Sequence, residues 1–430
     1  MLIKLNAGLD IALGAVPQGP VADAPAVSEV AIVGPDYTDL RFSVTVTEGT
    51  RVKLGETLLT HRKYPELRFT SPGSGVVSAI KRGARRRLMS VVIALDGADE
   101  VEFPAFSDAA LGSLPLGDIN ESLLASGLWT SFRARPYNRV PNPGTRPRAI
   151  FVTAIDTSPG APDPIAVITA QPDAFSSGLS VISRLSETRT YLCKSPGSPV
   201  PEIATDSLVT AEFQGRHPAG LPGTHMHCLE PIPERHDLWH IGYQDVIAIG
   251  KLFRTGCLWT ERIVAVSGPG LQPSRLLRTR IGASLQQLLR NESTDTHRVV
   301  SGDLLSGRQA TANTGYLGRY HHQISLLPEV AGQAAVSRDA KDNGQEITTA
   351  LHGRPSGMLS VEAFERVWPL ETPPIPLLRA LLIRDAETAI KLGCLGLAED
   401  DLALCSYVCP AKYDYGAALR ATLHEIERGT

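Results

Sequence analysis

Apolar and polar positions alternate over short stretches in the first hundred residues. Phe42, Val44 and Val46 interleave with Ser43, Thr45 and Thr47, a turn follows at Glu48 and Gly49, and apolar positions resume at Val52, Leu54 and Leu58. Period-two patterning broken by glycine turns predicts half-buried strands, here over 41–47, 52–59, 76–80 and 89–94, with a tight turn at 71–75. The period changes after residue 118. Residues 120–127 read as a helix stopped by Gly127, 148–154 as a buried strand, 156–163 as its loop, then 165–170 as a helix and 188–194 as a strand. Strands and helices in alternation predict an open sheet covered by helices. Such sheets bind ligands beyond the carboxyl ends of their strands, so the loop after Ala154 is the place to look for one.

Val246, Ile249 and Phe253 fall on one stripe at helical spacing, with Asp245 near its start and Gly256 just past its end. That combination predicts an amphipathic helix over 243–253. Residues 260–269, 276–281, 282–289 and 298–302 then read strand, strand, helix, strand. Residues 331–350 are poor in apolar side chains and predict a loop. Beyond Pro373, Pro374 and Pro376 the pattern is helical, and Leu419, Leu423 and Ile426 line one face of the last helix. The chain thus reads as an α/β multidomain protein divided at 1–100, 101–257, 258–330 and 331–430.

Composition narrows the function classes. A chain of 430 residues, 43% hydrophobic and 20% charged, can bury several cores. Its 42 basic and 45 acidic residues give a net charge of −3, which speaks against wholesale nucleic-acid binding. No apolar run reaches the roughly 18–20 residues of a membrane-spanning helix. Residues 1–10 lack the continuous apolar stretch of a secretory signal. A soluble, cytoplasmic chain that meets any membrane through a partner is the expectation. Lys81, Arg82, Arg85, Arg86 and Arg87 form a basic turn between two strands, read as a solvated loop or else as a contact for an acidic partner or anionic head groups.

Six cysteines do not make a disulfide scaffold. Cys193, Cys228 and Cys257 lie among apolar neighbours and read as small buried hydrophobes. Cys405, Cys409 and Pro410 match the end of a ferredoxin-type cysteine motif, but the two earlier positions hold Leu402 and Glu399, and Cys394 is out of register. A former cluster-binding turn kept for packing fits these residues better than a cluster.

Five of the eleven histidines lie between Arg216 and Ile241. His225 with His227, on one strand face, and His236 or His240 have spacings that could meet at zinc, yet no Cys-x2-Cys or His-Glu-x-x-His pattern supports it. Histidines filling a hydrogen-bonded domain junction is the plainer reading, and no metal is expected. The glycines and prolines at 215–223 do not make a phosphate loop, because prolines remove donors and no helix is expected to follow directly.

Larger similarities rest on these segments. Residues 48–77, with Gly49, Val52, Gly55, Leu58 and then Pro72, Gly75, Val76 and Val77, resemble the flattened barrel of biotinyl and lipoyl domains; Lys63 lacks the flanks of a modification site and reads as an ordinary lysine. Residues 258–330 resemble a soluble-ligand-binding β-grasp module, and 101–257 a Rossmann-like α/β domain. This domain order resembles the flavin-binding subunit of respiratory complex I and the C subunit of the Rnf complex. In those relatives a glycine-rich loop follows a Ser-Gly-Leu helix end and approaches flavin and NADH. Here Ser126, Gly127 and Leu128 are followed by Trp129, Phe132, Arg133, Arg135 and Tyr137, and the expected acidic cluster is reduced to Asp156, so the nucleotide site reads as lost.

Residues 218–225, 239–251, 278–284, 316–321 and 401–410 resemble the family of A subunits of sodium-translocating NADH:quinone reductases over nearly the whole chain. The resemblance implies a peripheral subunit on the cytoplasmic side of the bacterial inner membrane. Its complex couples NADH oxidation and ubiquinone reduction to sodium export. It implies no tightly bound redox cofactor, an association with ubiquinone, and partners among the membrane, flavin and iron–sulfur subunits. Isolated, the chain is expected not to be catalytic. A docking subunit that binds no quinone, or a paralogue acting outside the standard complex, is the alternative. Residues 323–347 look shorter than the family pattern. The expected quinone or partner contacts are His225, His227, Trp239, His240, Tyr243 and Gln244.

Overall fold

The computed structural model describes residues 1–11, 17, 19–230, 237–268, 271, 273–292, 297–328, 349, 351 and 362–429. His236 and nearly all of the loop expected at 331–350 lie outside the described residues.

The central sheet has six strands, in the order Leu2–Lys4, Leu208–Gln214, Arg189–Lys194, Ala149–Ala154, Leu238–Gly242 and Arg133–Arg135. All neighbours are parallel except the last pair. Every residue of Ala149–Ala154 is buried, as a continuous apolar run between two parallel partners requires. Helices Pro172–Ser183 and Tyr243–Thr255 cover one face and touch through glycines. A methyl group on Gly178 would collide with the Val246 carbonyl, and one on Gly250 with the Ala174 carbonyl. The helix stripe read from Val246, Ile249 and Phe253 proves too narrow: Tyr243 through Gly250 are all buried, because the helix is packed all round. Gly256 and Gly127 end their helices in the left-handed conformation, as their positions in the sequence predict.

Two smaller sheets pack together ahead of this one. Glu29–Val33, Leu88–Leu95, Gly75–Arg82 and Arg51–Val52 form the first, and Phe42–Val44, Thr57–His61 and Arg68–Thr70 the second. Lys63 is exposed, its ammonium over the Tyr64 ring. A fourth sheet carries Glu261–Ser267, Arg275–Arg280, His297–Ser301, Arg308–Gln309 and Gln323–Pro328.

Two short strands that precede the barrel strands in the chain pair elsewhere. Leu2–Lys4 joins the central sheet beside Leu208–Gln214, and Ala22–Asp23 joins the fourth sheet beside Arg275–Arg280. These pairings are long-range, so local patterning carries no trace of them. Residues 362–429 are helical, and Leu419, Leu423 and Ile426 are buried together in the helix Tyr415–Gly429. Cys394, Cys405 and Cys409 sit in that same apolar core. Burial pushes the Cys405 thiol up to about 12, which keeps it protonated and a poor ligand. The chain is a mixed α/β, multidomain protein.

Candidate functional site

Numbered in chain order from Leu2–Lys4, the five parallel strands lie in the order first, fourth, third, second, fifth. The order reverses between Ala149–Ala154 and Leu238–Gly242. Loops leaving these two neighbours must diverge, and an open sheet forms its binding crevice at that point. A cavity of about 370 Å³ lies there, bordered by Thr153, Ile155 and Asp156 after the first strand and by His240 to Tyr243 of the other. Asp36 from the barrel, Asp303, Arg308 and Tyr320 to Gln323 from the fourth sheet, and Glu399 and Asp400 from the helical end close it. All four parts of the chain therefore meet in one hollow.

The rim is held by buried ion pairs. Asp245, in the first turn of Tyr243–Thr255, pairs with Arg262, and its carboxylate takes two bonds from Arg319 Nη1 at 2.9 and 3.0 Å. Arg319 also donates to Ser131 Oγ at 2.7 Å. Burial works against the Asp245 charge, but Arg319 and Arg262 outweigh it and hold the carboxyl below its usual range. Gln244 donates to the Ile263 carbonyl at 2.8 Å and accepts from the Ile263 amide at 3.0 Å, fastening the fourth sheet to the same helix start.

Inside, the charge is uneven. The Asp156 carboxylate accepts the Ser158 amide at 2.9 Å, and burial pushes its pKa up to about 6. Burial raises Asp400 to about 6 as well, with Arg133 pulling the other way. The Arg133 guanidinium lies 4.6 Å from the centre of the Tyr320 ring. Burial lowers His321 to about 4 and His322 to about 3, so both stay neutral at ordinary pH, and the His322 ring packs edge-on against Tyr243 at 5.1 Å. Burial raises the Tyr243 phenol above its ordinary value, leaving a permanent O–H donor at the rim.

The structure separates the six residues singled out by sequence. His240 and Tyr243 border the cavity. Gln244 is the fastener to Ile263. Trp239 points into the core, 5.4 Å from Trp129 and 5.5 Å from Phe132. His225 and His227 occupy the helix Pro222–Leu229, where a strand face was expected. Two positions apart on a helix is about 200° of rotation, so they diverge. His225 is fully buried against Phe213, its Nε2 donating to the Ala219 carbonyl at 2.8 Å, and burial lowers it to about 4. His227 Nε2 accepts the Glu371 amide at 3.1 Å. Among the described residues no group of three or more His, Cys, Asp or Glu could hold a metal ion.

A helix does follow the loop at 215–223 directly, contrary to expectation. Pro222 stands in its first turn, where a missing N–H costs nothing, so the proline marks a helix start. The anion-binding end of that helix is already occupied. The Asp401 carboxylate lies against Gly223, and it is held by the Ala398 amide at 2.8 Å and by Arg135 at 3.5 Å. Sequence reasoning pointed to Asp156 through the loop rule but missed Arg133 from the same sheet, Asp303 and His322 from the region of the fourth sheet, and Asp400 from the helical end, which share no spacing with it.

Family models match along the chain: the NqrA N-terminal barrel-sandwich hybrid domain at residues 3–96, the NqrA second alpha/beta domain at 115–258, and the NQRA C-terminal domain at 263–312. The chain is 45% identical to the A subunit of the Na(+)-translocating NADH-quinone reductase of Pseudomonas aeruginosa, over 99% of this chain and 100% of that one. It is 42% identical to the protein of the same name from Cellvibrio japonicus, over 99% of each chain. For the Neisseria gonorrhoeae protein of that name the identity is 43%, over 99% of this chain and 100% of the other.

Proposed function

Because the chain belongs to the family of A subunits of the Na(+)-translocating NADH-quinone reductases, we propose that it is a peripheral subunit that holds no flavin or nicotinamide and offers its junction cavity to a quinone head group. One observation carries the cofactor-free part. The turn that would have to cradle a phosphate, Leu128–Ser131, is buried throughout, with Trp129 and Phe132 packed on Trp239. Its Leu128 and Thr130 amides already donate to Ser126 Oγ and the Gly127 carbonyl, and the other nearby helix start already holds Asp401. A phosphate needs free amides and a positive field, and here it meets rings and a carboxylate.

The cavity keeps neutral donors suited to carbonyl oxygens: the Tyr243 hydroxyl and the His322 imidazole, with Arg133 nearby. We read the domains as a biotinyl/lipoyl-like barrel, a Rossmann-like sheet, a β-grasp module and a helical end; the reversed strand order supports the second. No helix among the described residues is long and apolar enough to cross a membrane; attachment through the membrane, flavin and iron–sulfur subunits on the cytoplasmic side of the bacterial inner membrane is the reading we draw from the family.

Titrating the full chain with a short-chain ubiquinone by calorimetry tests the reading. Saturable binding that Tyr243→Phe and Arg133→Ala weaken supports it; no binding to the unaltered chain removes it. The carboxyls of Asp156, Asp303 and Asp400 favour a second reading, a docking subunit without quinone, since quinone sites are mainly apolar. In that case the substitutions leave quinone behaviour untouched and weaken co-purification with the membrane subunits instead.

A further inference from the structure

The hairpin of Gly75–Arg82 and Leu88–Leu95 carries five cations at its tip: Lys81, Arg82, Arg85, Arg86 and Arg87. The four arginines are exposed, and none of them has an ion-pair partner among the described residues. Lys81 donates to the Ala312 carbonyl at 2.7 Å, which ties the base of the tip to a neighbouring loop. Arg82 Nη1 donates to the Arg86 carbonyl at 3.2 Å, bracing the turn from inside. Arg85 and Arg86 adopt positive φ values of 52° and 58°, so the chain reverses at successive arginines. The whole chain has a net charge of −3, so this concentration of positive charge is local.

We propose that this tip rests on an anionic phospholipid surface and provides a direct membrane contact for this chain, beyond its protein partners. An acidic protein is the weaker match. Protein interfaces concentrate their energy in packed aromatic or aliphatic anchors. The large exposed hydrophobic residues among those described are Met1, Leu2, Leu351, Ile383 and Ile390, and none of them lies on the hairpin. A plane of lipid phosphates needs neither pocket nor anchor, only several cations that can reach it at once. A family that translocates a cation works at a membrane, which places such a plane within reach. The inference does not depend on quinone binding.

Sedimentation of the full chain with phospholipid vesicles decides it. Vesicles of phosphatidylcholine with about one-third phosphatidylglycerol should carry the protein down at low ionic strength, and pure phosphatidylcholine vesicles should not. About 0.5 M NaCl should release it, because screening weakens exposed charges. Arg85→Gln, Arg86→Gln and Arg87→Gln together should lower partitioning on the order of 100-fold, with an unchanged circular dichroism spectrum showing that the exposed tip leaves folding intact. Equal sedimentation with both vesicle types overturns the proposal, as does a triple variant that partitions like the unaltered chain. So does a variant that keeps its vesicle binding and loses only its association with partner subunits, since the tip is then a protein contact.

Discussion

The Asp401 carboxylate stands against Gly223, so close that a methyl group on the glycine would run into both of its oxygens. Alanine is ordinarily the better helix residue, by about 1 kcal/mol. Here the order reverses, because Asp401 is wedged between the Ala398 amide and Arg135 and has nowhere to go. Gly223→Ala should cost about 1–3 kcal/mol in urea unfolding. Gly112→Ala, with nothing within 4 Å of the added methyl, should be nearly silent.

Asp245→Asn should be far more damaging. It leaves Arg262 and Arg319 buried without their shared counter-charge, and breaking such a pair costs about 3–5 kcal/mol. The same pairs govern acid stability. The folded Asp245 carboxyl sits below its unfolded value, so its contribution is present above the unfolded pKa and is lost as pH falls through the folded one. Melting temperatures of the variant and the unaltered chain should therefore converge in strong acid.

Asp156 and Asp400 behave in the opposite sense. Their folded values near 6 lie above the usual carboxyl range, so each stabilises the fold most below its unfolded pKa of about 4 and loses that contribution as pH rises through about 6. Asp156→Asn can keep the Ser158 amide bond, and it should stabilise the protein at pH 7.5 by roughly 1–2 kcal/mol. The gain should shrink on acidification toward pH 4. A pH series of thermal melts reads both effects.

His225→Ala tests which histidines matter for ligand binding. Its ring fills a space beside Phe213 away from the cavity lining. The substitution should cost about 2–4 kcal/mol of stability and leave ubiquinone affinity, measured by calorimetry on the folded fraction, unchanged.

The sequence announced its regular elements and hid the site. Strands such as Ala149–Ala154 and helices such as Tyr243–Thr255 are legible because burial imposes a period on neighbouring residues. The helix Pro222–Leu229 was masked because its proline and glycines read as a loop, although Pro222 at a first turn is a start signal. The cavity had no such period. Arg133, Asp156, His322 and Asp400 meet only after the central sheet, the fourth sheet and the helical end have docked. The family resemblance was legible for a different reason, since it rests on long runs of residues and needs no geometry.

The strand Leu2–Lys4 pairs with Leu208–Gln214, and the Met1 amine donates to the Thr210 carbonyl across 209 residues of chain. During synthesis, at about 5–20 residues per second, the first strand waits roughly 10–40 s for its partner to emerge. Through that interval the strand has no sheet to join, while the barrel next to it can already fold. The order of assembly thus runs against the order of the chain: Leu2–Lys4 is stitched in only after residues 208–214 have emerged, and a ribosome stalled before them would leave that strand exposed.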